Sequence, residues 1–232
     1  MSDKLVFAVP AKGRLMEKSI EVLVKAGLPP RKSGSERGYR GEIDGLHGVE
    51  VTFVAASEIV QYLKTGQVHL GITGEDLVRE NMSDVDERVE ILRRLGFGRA
   101  DVVVAVPQCW IDVRRVADLQ PVAFAFRHAH GRRLRVATKY VNLARRFFLA
   151  KGVSDYRVVE SLGATEGAPA SGAADLIVDI MTTGATLKAN GLKPLEDGII
   201  LRSQASLLAS RLAAWTPDVR AAQQEILGRL TA

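Results

Sequence analysis

Asp175-Leu-Ile-Val-Asp-Ile-Met-Thr-Thr-Gly-Ala-Thr-Leu187 carries the grammar of the whole chain. Asp175–Ile180 is an apolar run of the length of a buried strand. After Thr182, Thr183 and Gly184 the spacing predicts a short helix over Ala185–Asn190. The same alternation runs outward in both directions. Strands are predicted at Lys4–Pro10, Val49–Ala55, His69–Thr73, Ala100–Val106, Leu134–Thr138, Tyr156–Glu160 and Gly198–Ser203. Helices are predicted at Gly13–Ala26, Ser57–Thr65, Glu75–Asn81, Tyr140–Ala150, Thr165–Gly172 and Pro217–Leu230. Strands alternating with amphipathic helices predict an α/β fold with largely parallel sheets.

An internal echo divides the chain. Phe7-Ala-Val-Pro-Ala-Lys12 leads into a helix that ends at Ala26-Gly27, and Leu134-Arg-Val-Ala-Thr-Lys139 leads into one that ends at Lys151-Gly152. Downstream of each comes a strand, then Thr-Gly, then a helix: Leu70–Gly74 in the first half and Ile177–Gly184 in the second. The expectation is two similar α/β lobes around a cleft. Residues 1–104 with 191–232 form one lobe, and residues 105–190 form the other. Ligands of open α/β sheets sit at the carboxyl ends of strands, where both Thr-Gly pairs fall.

Composition bounds the possibilities. The chain has 232 residues, 47% hydrophobic and 25% charged, with a formal charge of +5; this is the make-up of a folded globular protein. A single cysteine, Cys109, excludes an internal disulfide framework and a four-thiolate zinc site and reads as a small apolar filler. Apolar runs such as Val102–Pro107 are far short of the ~18 residues that span a bilayer. Met1-Ser-Asp-Lys4 lacks the pattern of a signal peptide, so a cytoplasmic location is expected. From Leu119 to Ser154 there is no acidic residue, while Arg127, Arg132, Arg133, Arg135, Lys139, Arg145, Arg146 and Lys151 lie in that stretch. Such a block is either a solvated face or an attraction for anions. No nucleic-acid-binding motif accompanies it.

Four polar strand–helix junctions could carry chemistry. At the first, hydroxyls and free backbone N–H groups where a helix begins form a phosphate cradle, and Gly184 lets backbone approach the anion. Asp179 stands where it could accept hydrogen bonds from ribose hydroxyls. A lone Thr-Gly-x-Thr reads as an ordinary N-cap; with the apolar strand, Asp179 and the doubled threonine it points to phosphoribosyl binding. At the second, Lys12 and Arg14 flank Gly13 where the helix dipole disfavours cations, which makes sense with a phosphate between them or with both in solvent. At the third, Glu75 and Asp76 satisfy a helix start with no functional demand. At the fourth, Ala137-Thr-Lys-Tyr140 places Lys139 beside Tyr140, whose ring could stack on a purine or cover the core. No P-loop, dinucleotide fingerprint or nucleophile elbow is present. His128-Ala-His130 has no carboxylate near it in sequence to complete a metal site and reads as a solvated pair in a basic loop.

These residues resemble ATP phosphoribosyltransferase, in the family's short form. The resemblance runs through Lys12-Gly-Arg14, Gly71-Ile-Thr-Gly-Glu-Asp76, Ala137-Thr-Lys-Tyr-Val-Asn142, Glu166 with Ala168-Pro169, and Asp175 to Leu192. It implies a two-lobed fold like the type II periplasmic binding proteins and the condensation of ATP with phosphoribosyl pyrophosphate (PRPP), the first step of histidine biosynthesis. It implies PRPP binding by Asp179, Thr182, Thr183, Gly184, Ala185 and Thr186. ATP or pyrophosphate is assigned to Lys12, Gly13, Arg14, Arg37, Asp76, Lys139, Tyr140 and Glu166. Neither a discrete acid or base nor a protein-held metal is implied; Mg²⁺ rides on the substrate. The implied assembly is a homodimer core with a regulatory subunit resembling histidyl-tRNA synthetase, since short members lack a regulatory domain of their own. The chain departs from the family at Ala55-Ala-Ser-Glu58, where members often carry Arg followed by a small residue, Ser and Asp, so Arg37 or Arg40 is left to supply the basic contact. The alternative is a non-catalytic anion-binding module of the same fold.

Overall fold

The computed structural model describes residues 4–33, 39–161 and 163–231. They fall into two compact units: Met1–Gly98 with Gln204–Ala232, and Arg99–Ser203. The first leg runs β1 (Leu5–Pro10), α1 (Gly13–Lys25), β2 (Pro30–Lys32), β3 (Arg40–Ile43), β4 (Leu46–Val54), α2 (Ala56–Thr65), β5 (Leu70–Gly74), α3 (Glu75–Asn81), the single turn α4 (Val85–Arg88) and β6 (Val89–Arg94). The second unit holds β7 (Ala100–Pro107), α5 (Leu119–His130), β8 (Leu134–Thr138), α6 (Val141–Ala150), β9 (Tyr156–Glu160), β10 (Leu176–Met181), α7 (Ala185–Ala189) and β11 (Leu192–Ser203). The chain then returns to the first unit with β12 (Ala205–Ser210) and α8 (Pro217–Thr231).

The unit boundaries differ from the expected 104/105 and 190/191 because strand pairing decides them. β11 pairs antiparallel with β7 from Leu192↔Pro107 to Ser203↔Ala100. A cut at 104 would split β7, and a cut at 190 would detach β11 from its partner.

The sheets are mixed rather than largely parallel. In the first unit the order is β2-β3-β4-β1-β5-β12-β6, in the second β11-β7-β10-β8-β9. Only the heart of each is parallel: β1 with β4 and β5, and β8 with β9 and β10. Next to each parallel trio stands an antiparallel strand, β12 beside β5 and β7 beside β10. The two units therefore repeat one five-strand pattern, β4-β1-β5-β12-β6 and β9-β8-β10-β7-β11, and the echo in the sequence marks its equivalent strands.

Both sheets are covered on two faces, which is why their central strands are predominantly apolar. Leu5, Phe7 and Val9 of β1 pack with Leu23 of α1 and with Val219 and Ile226 of α8. Ala8 faces the other way, among Ile59, Val60 and Leu63 of α2 and Val78 of α3. Gly71 of β5 runs so close to α2 that a Cβ would lie 2.6 Å from the Ile59 Cγ2 atom. In the second unit Val102, Val104 and Val136 lie under Ala123 of α5 and Phe148 of α6. The opposite face carries Val103, Ala105, Ala137 and Ile177 against Leu187 of α7. No helix among the described residues is long and apolar enough to cross a membrane.

Three local expectations change. Thr165–Gly172 is a single 3₁₀ turn over Thr165–Gly167 followed by further turns. His128 and His130 sit in the last turn of helix α5, not in a loop, and His130 stacks on Phe126 at 4.3 Å. Cys109 is exposed in the turn after β7 instead of filling core.

One buried histidine ties the first unit together. The Val6 N–H donates to His69 Nδ1 at 2.9 Å, leaving Nε2 to donate to the Ala214 carbonyl at 3.2 Å. The ring also meets Trp215 edge-on at 5.3 Å. Burial pushes the imidazole below its ordinary value, although the Ala214 carbonyl opposes this. Protonation would place a hydrogen on Nδ1, where the Val6 N–H already points. The unfolded chain takes up that proton first, near pH ~6.5, so stability present above that pH is lost as pH falls through the lowered native value. Urea midpoints measured from pH 8 to pH 5 should fall more steeply for the native chain than for His69→Gln. Parallel slopes would show that His69 does not carry the effect.

Candidate functional site

In the second unit the chain adds β9 on one side of β8 and then crosses to add β10 on the other. The carboxyl ends of β8 and β10 therefore flank a topological switch point, the usual place for a ligand in an open α/β sheet. A cavity of about 380 Å³ opens there. Among its lining residues are Lys139 after β8, Glu166, Asp179 on β10, and Thr182, Thr183, Gly184 and Thr186 beyond it. Seven of the residues selected from sequence thus meet in one place. Ala185 lies within the same loop but outside the lining.

The loop owes its path to Gly184, whose φ of 78° is left-handed. A Cβ there would meet only Met181 Sδ, at an ordinary 3.5 Å, so backbone conformation and not space calls for glycine. Thr183 Oγ1 accepts the Ala185 N–H at 3.4 Å. The Thr182 and Thr186 side chains are exposed and make no hydrogen bond among the described residues. On the facing side Ala164 takes φ 48°, the sole left-handed residue other than glycine among those described. The segment around it is pinned: Thr165 Oγ1 donates to Ser161 Oγ at 3.1 Å, and Ser161 Oγ donates to the Gly163 carbonyl at 3.2 Å. Nothing in the local sequence announces Ala164 or this pin, because both depend on the path between β9 and β10.

The site is electrostatically mixed. Burial pushes the Asp179 carboxyl above the usual carboxylate range, and the charge of Glu166 adds to that; a hydrogen bond from the Ile180 backbone and the charge of Lys139 pull the other way. Lys139 is exposed and its Nζ lies 5.0 Å from the Tyr140 ring. Tyr140 itself is 1% exposed and belongs to the core under α6. Of its two readings, the structure matches the ring that covers the core, because the Tyr140 N–H bonds Thr138 Oγ1 at 2.8 Å and turns the chain inward.

The remaining candidates belong to the first unit. Lys12, Gly13 and Arg14 follow β1 and are exposed, with Gly13 at φ 73°. Asp76 is half-buried in the first turn of α3. Its neighbour Glu75 is 2% exposed and accepts bonds from Arg94 Nε at 2.8 Å and Ser206 Oγ at 2.9 Å. This network was hidden from the sequence reading because Ser206 lies on β12, 131 residues away. At the departure, Glu58 accepts the Ala55 N–H at 2.9 Å and so caps α2. Arg40 is 80% exposed on β3 and 3.4 Å from Glu50. Arg37 lies outside the described residues.

The profile of the family described as ATP phosphoribosyltransferase matches residues 55–232. The chain belongs to this family. An ATP phosphoribosyltransferase of Afipia carboxidovorans is 60% identical over 230 residues, covering 99% of this chain and 71% of the relative. One of Bradyrhizobium diazoefficiens is 59% identical over 232 residues, covering 100% and 71%. Among solved structures, the ATP phosphoribosyl transferase (HisG:HisZ) complex from Thermotoga maritima matches with a TM-score of 0.73 at 26% identity, covering 98% of this chain and 96% of that one. A histidine kinase sensor domain similar to periplasmic binding proteins matches with a TM-score of 0.50 at 13% identity, covering 98% and 89%, and shows the fold alone. As a member of this family the chain is a transferase of the first step of histidine biosynthesis, joining ATP and PRPP to give N1-(5-phosphoribosyl)-ATP and pyrophosphate. Family membership disfavours the non-catalytic module.

The raised Asp179 pKa has a measurable consequence. A carboxyl with a raised native value stabilises the fold at low pH, and that stability is lost as pH rises from the unfolded value of ~3.9 through the native one. Ionised Asp179 is thus a cost at neutral pH. Asp179→Asn should raise the melting temperature at pH 7.5, and the gain should shrink toward pH 4. A gain of equal size at both pH values would show that the cost is not one of charge.

Proposed function

We propose that the second unit holds the phosphoribosyl half of PRPP. The 5-phosphate would rest on the N–H groups and hydroxyls of Thr182–Thr186, and Asp179 would accept bonds from the ribose hydroxyls. The observation that carries this reading is the pair of unengaged hydroxyls, Thr182 and Thr186, in a loop shaped by left-handed Gly184 beside a half-buried carboxylate. Charge-assisted bonds to phosphate are the strong class of hydrogen bond. By the same resemblance Lys139, Glu166, Tyr140, Lys12, Gly13, Arg14, Arg37 and Asp76 are assigned to ATP or pyrophosphate. Burial weakens the assignment for Tyr140 as a stacking partner and leaves it a role in setting the path of Lys139.

Adenine N1 attacks the anomeric carbon as the bond to pyrophosphate breaks, so the electron pair leaves with the pyrophosphate oxygen. The attacking ring nitrogen carries no proton, and no general base is needed. What the chain supplies is position and charge: bound ribose fixes the reacting carbon, and Lys139 meets the growing negative charge of the leaving group. The donor set suits a divalent cation such as Mg²⁺ carried on pyrophosphate. Asp179 and Glu166 repel each other across the cavity, and a cation there would relieve the repulsion. Among the described residues no cluster of three or more metal-binding side chains forms a cage. When bound, such a cation neutralises the leaving pyrophosphate.

Thr186→Val keeps the shape of the side chain and removes the hydroxyl. Loss of a charge-assisted bond should weaken PRPP binding by about 1.5–3 kcal/mol with little change in folding. Unaltered PRPP affinity, measured by calorimetry on the full chain, would remove the 5-phosphate from this loop.

The partner reading follows the solved complex from Thermotoga maritima, whose title pairs HisG with HisZ. We infer a homodimer of this chain in the cytoplasm, joined by a regulatory subunit resembling histidyl-tRNA synthetase. Histidine inhibition is then a coupling between two sites in the assembly. Histidine titrated against the chain alone should leave turnover unchanged, and against the chain mixed with its partner should inhibit. Potent inhibition of the chain alone would refute the reading.

A further inference from the structure

Four arginines of the basic block, joined by Arg157, gather away from the loop at Thr182–Thr186. At the amino ends of β8 and β9, opposite the carboxyl ends that flank Lys139 and Thr186, Arg132, Arg133, Arg135, Arg145 and Arg157 line a cavity of about 800 Å³. Strand β8 is five residues long, which separates its two ends by roughly 13 Å. One wall is apolar, with Leu149 at 81% exposure and Tyr156 held against Phe148 at 4.9 Å.

Three of the five arginines are held in place. Asp175 accepts both Nη atoms of Arg132, at 2.7 and 3.0 Å, and takes the Arg135 backbone N–H at 2.8 Å. Burial raises the Asp175 carboxyl, but the hydrogen bonds from Arg132 and Arg135 outweigh it and hold the group down at about 2. Asp155 fixes Arg133 at 3.2 Å and Arg127, outside the cavity lining, at 3.1 Å. Arg145 and Arg157 make no ion pair among the described residues. Two engaged carboxylates thus order three of the five guanidinium groups and leave Arg145 and Arg157 to the cavity. Planar guanidinium forks gathered round one concavity match the oxygens of linked phosphates, and ordering of Arg132, Arg133 and Arg135 by aspartates lowers the entropy cost of binding. A duplex would call for a track along the surface, and an acidic peptide for an extended groove.

We propose that this cavity is a second anion site that takes a chain of two or three linked phosphates, as in pyrophosphate or a nucleoside triphosphate. It is distinct from the loop at Thr182–Thr186 and does not depend on the reading given to that loop.

The test is calorimetry of the full chain with inorganic tripolyphosphate. Arg145→Glu/Arg157→Glu should weaken binding at this site at least tenfold, while Thr186→Val should leave it unchanged. Arg93→Glu/Arg99→Glu, which changes the net charge equally elsewhere, should alter the affinity less than twofold. Both double variants change exposed or half-exposed positions, and equal melting temperatures verify folding. Unchanged tripolyphosphate binding in Arg145→Glu/Arg157→Glu would overturn the proposal. An equal loss in the control pair would do the same. Competition by pyrophosphate or by ATP identifies which source the site accepts, and displacement by neither would refute it. Preferential binding of a DNA duplex or of a polyglutamate peptide over tripolyphosphate would likewise overturn it.

Discussion

Parallel pairing around a single central strand is the constraint from which the rest follows. A strand with neighbours on both sides and helices on both faces can bury its backbone only if every N–H and C=O enters the ladder. β1 meets that condition with a wholly apolar run, and β8 keeps Val136 and Ala137 at its centre with Arg135 and Thr138 beside them. The chain supplies partners first on one side and then on the other, so the loops after β8 and β10 diverge and leave room between them. Lys139 and the three threonines lie beyond the strand ends, and Asp179 sits on β10 facing the space they leave.

The antiparallel strand beside each parallel trio explains how the chain is divided. β12 belongs to the first unit although it is made after the second, and β7 opens the second unit by lying against β10. An antiparallel neighbour needs no crossover helix, so it can be contributed from a distant part of the chain. The segments joining the units, around Gly98 and Gln204, fall beside these strands.

How much was legible depended on whether the signal was local. The parallel strands and α1, α2, α3, α6 and α8 declared themselves through apolar periodicity, and the echo between Phe7–Lys12 and Leu134–Lys139 marked equivalent strands. β12 escaped because Ala205-Ser-Leu-Leu-Ala-Ser210 alternates nothing: it is buried on both faces, with Ser206 and Ser210 satisfied by Glu75 and the Leu63 carbonyl. α5 escaped because Pro121 and a dense apolar run hide a helical face, although proline in a first turn loses no hydrogen bond. Parallel sheets were over-read because pairing direction is not local. Of the site, the Thr-Gly loop and Lys139 were visible as residue types at strand ends. The burial of Tyr140 and the strained Ala164 were not, since each is set by what packs around it.

Asp175, just before β10, and Asp179, four residues on within it, solve opposite problems. Asp175 is surrounded by donors that favour its charge, so it serves as a fixed anchor that orders Arg132 and Arg135 at the amino end of the sheet. Asp179 is half-buried with a second carboxylate across the cavity, and its charge is disfavoured. Asp175 is satisfied by its own chain, whereas Asp179 is left short of donors, and that deficit is a cost in stability. The same stretch thus carries a residue whose interactions are complete and a residue whose interactions are not. That difference, more than the identity of the side chain, separates a carboxylate that orders its neighbours from one that costs the fold stability.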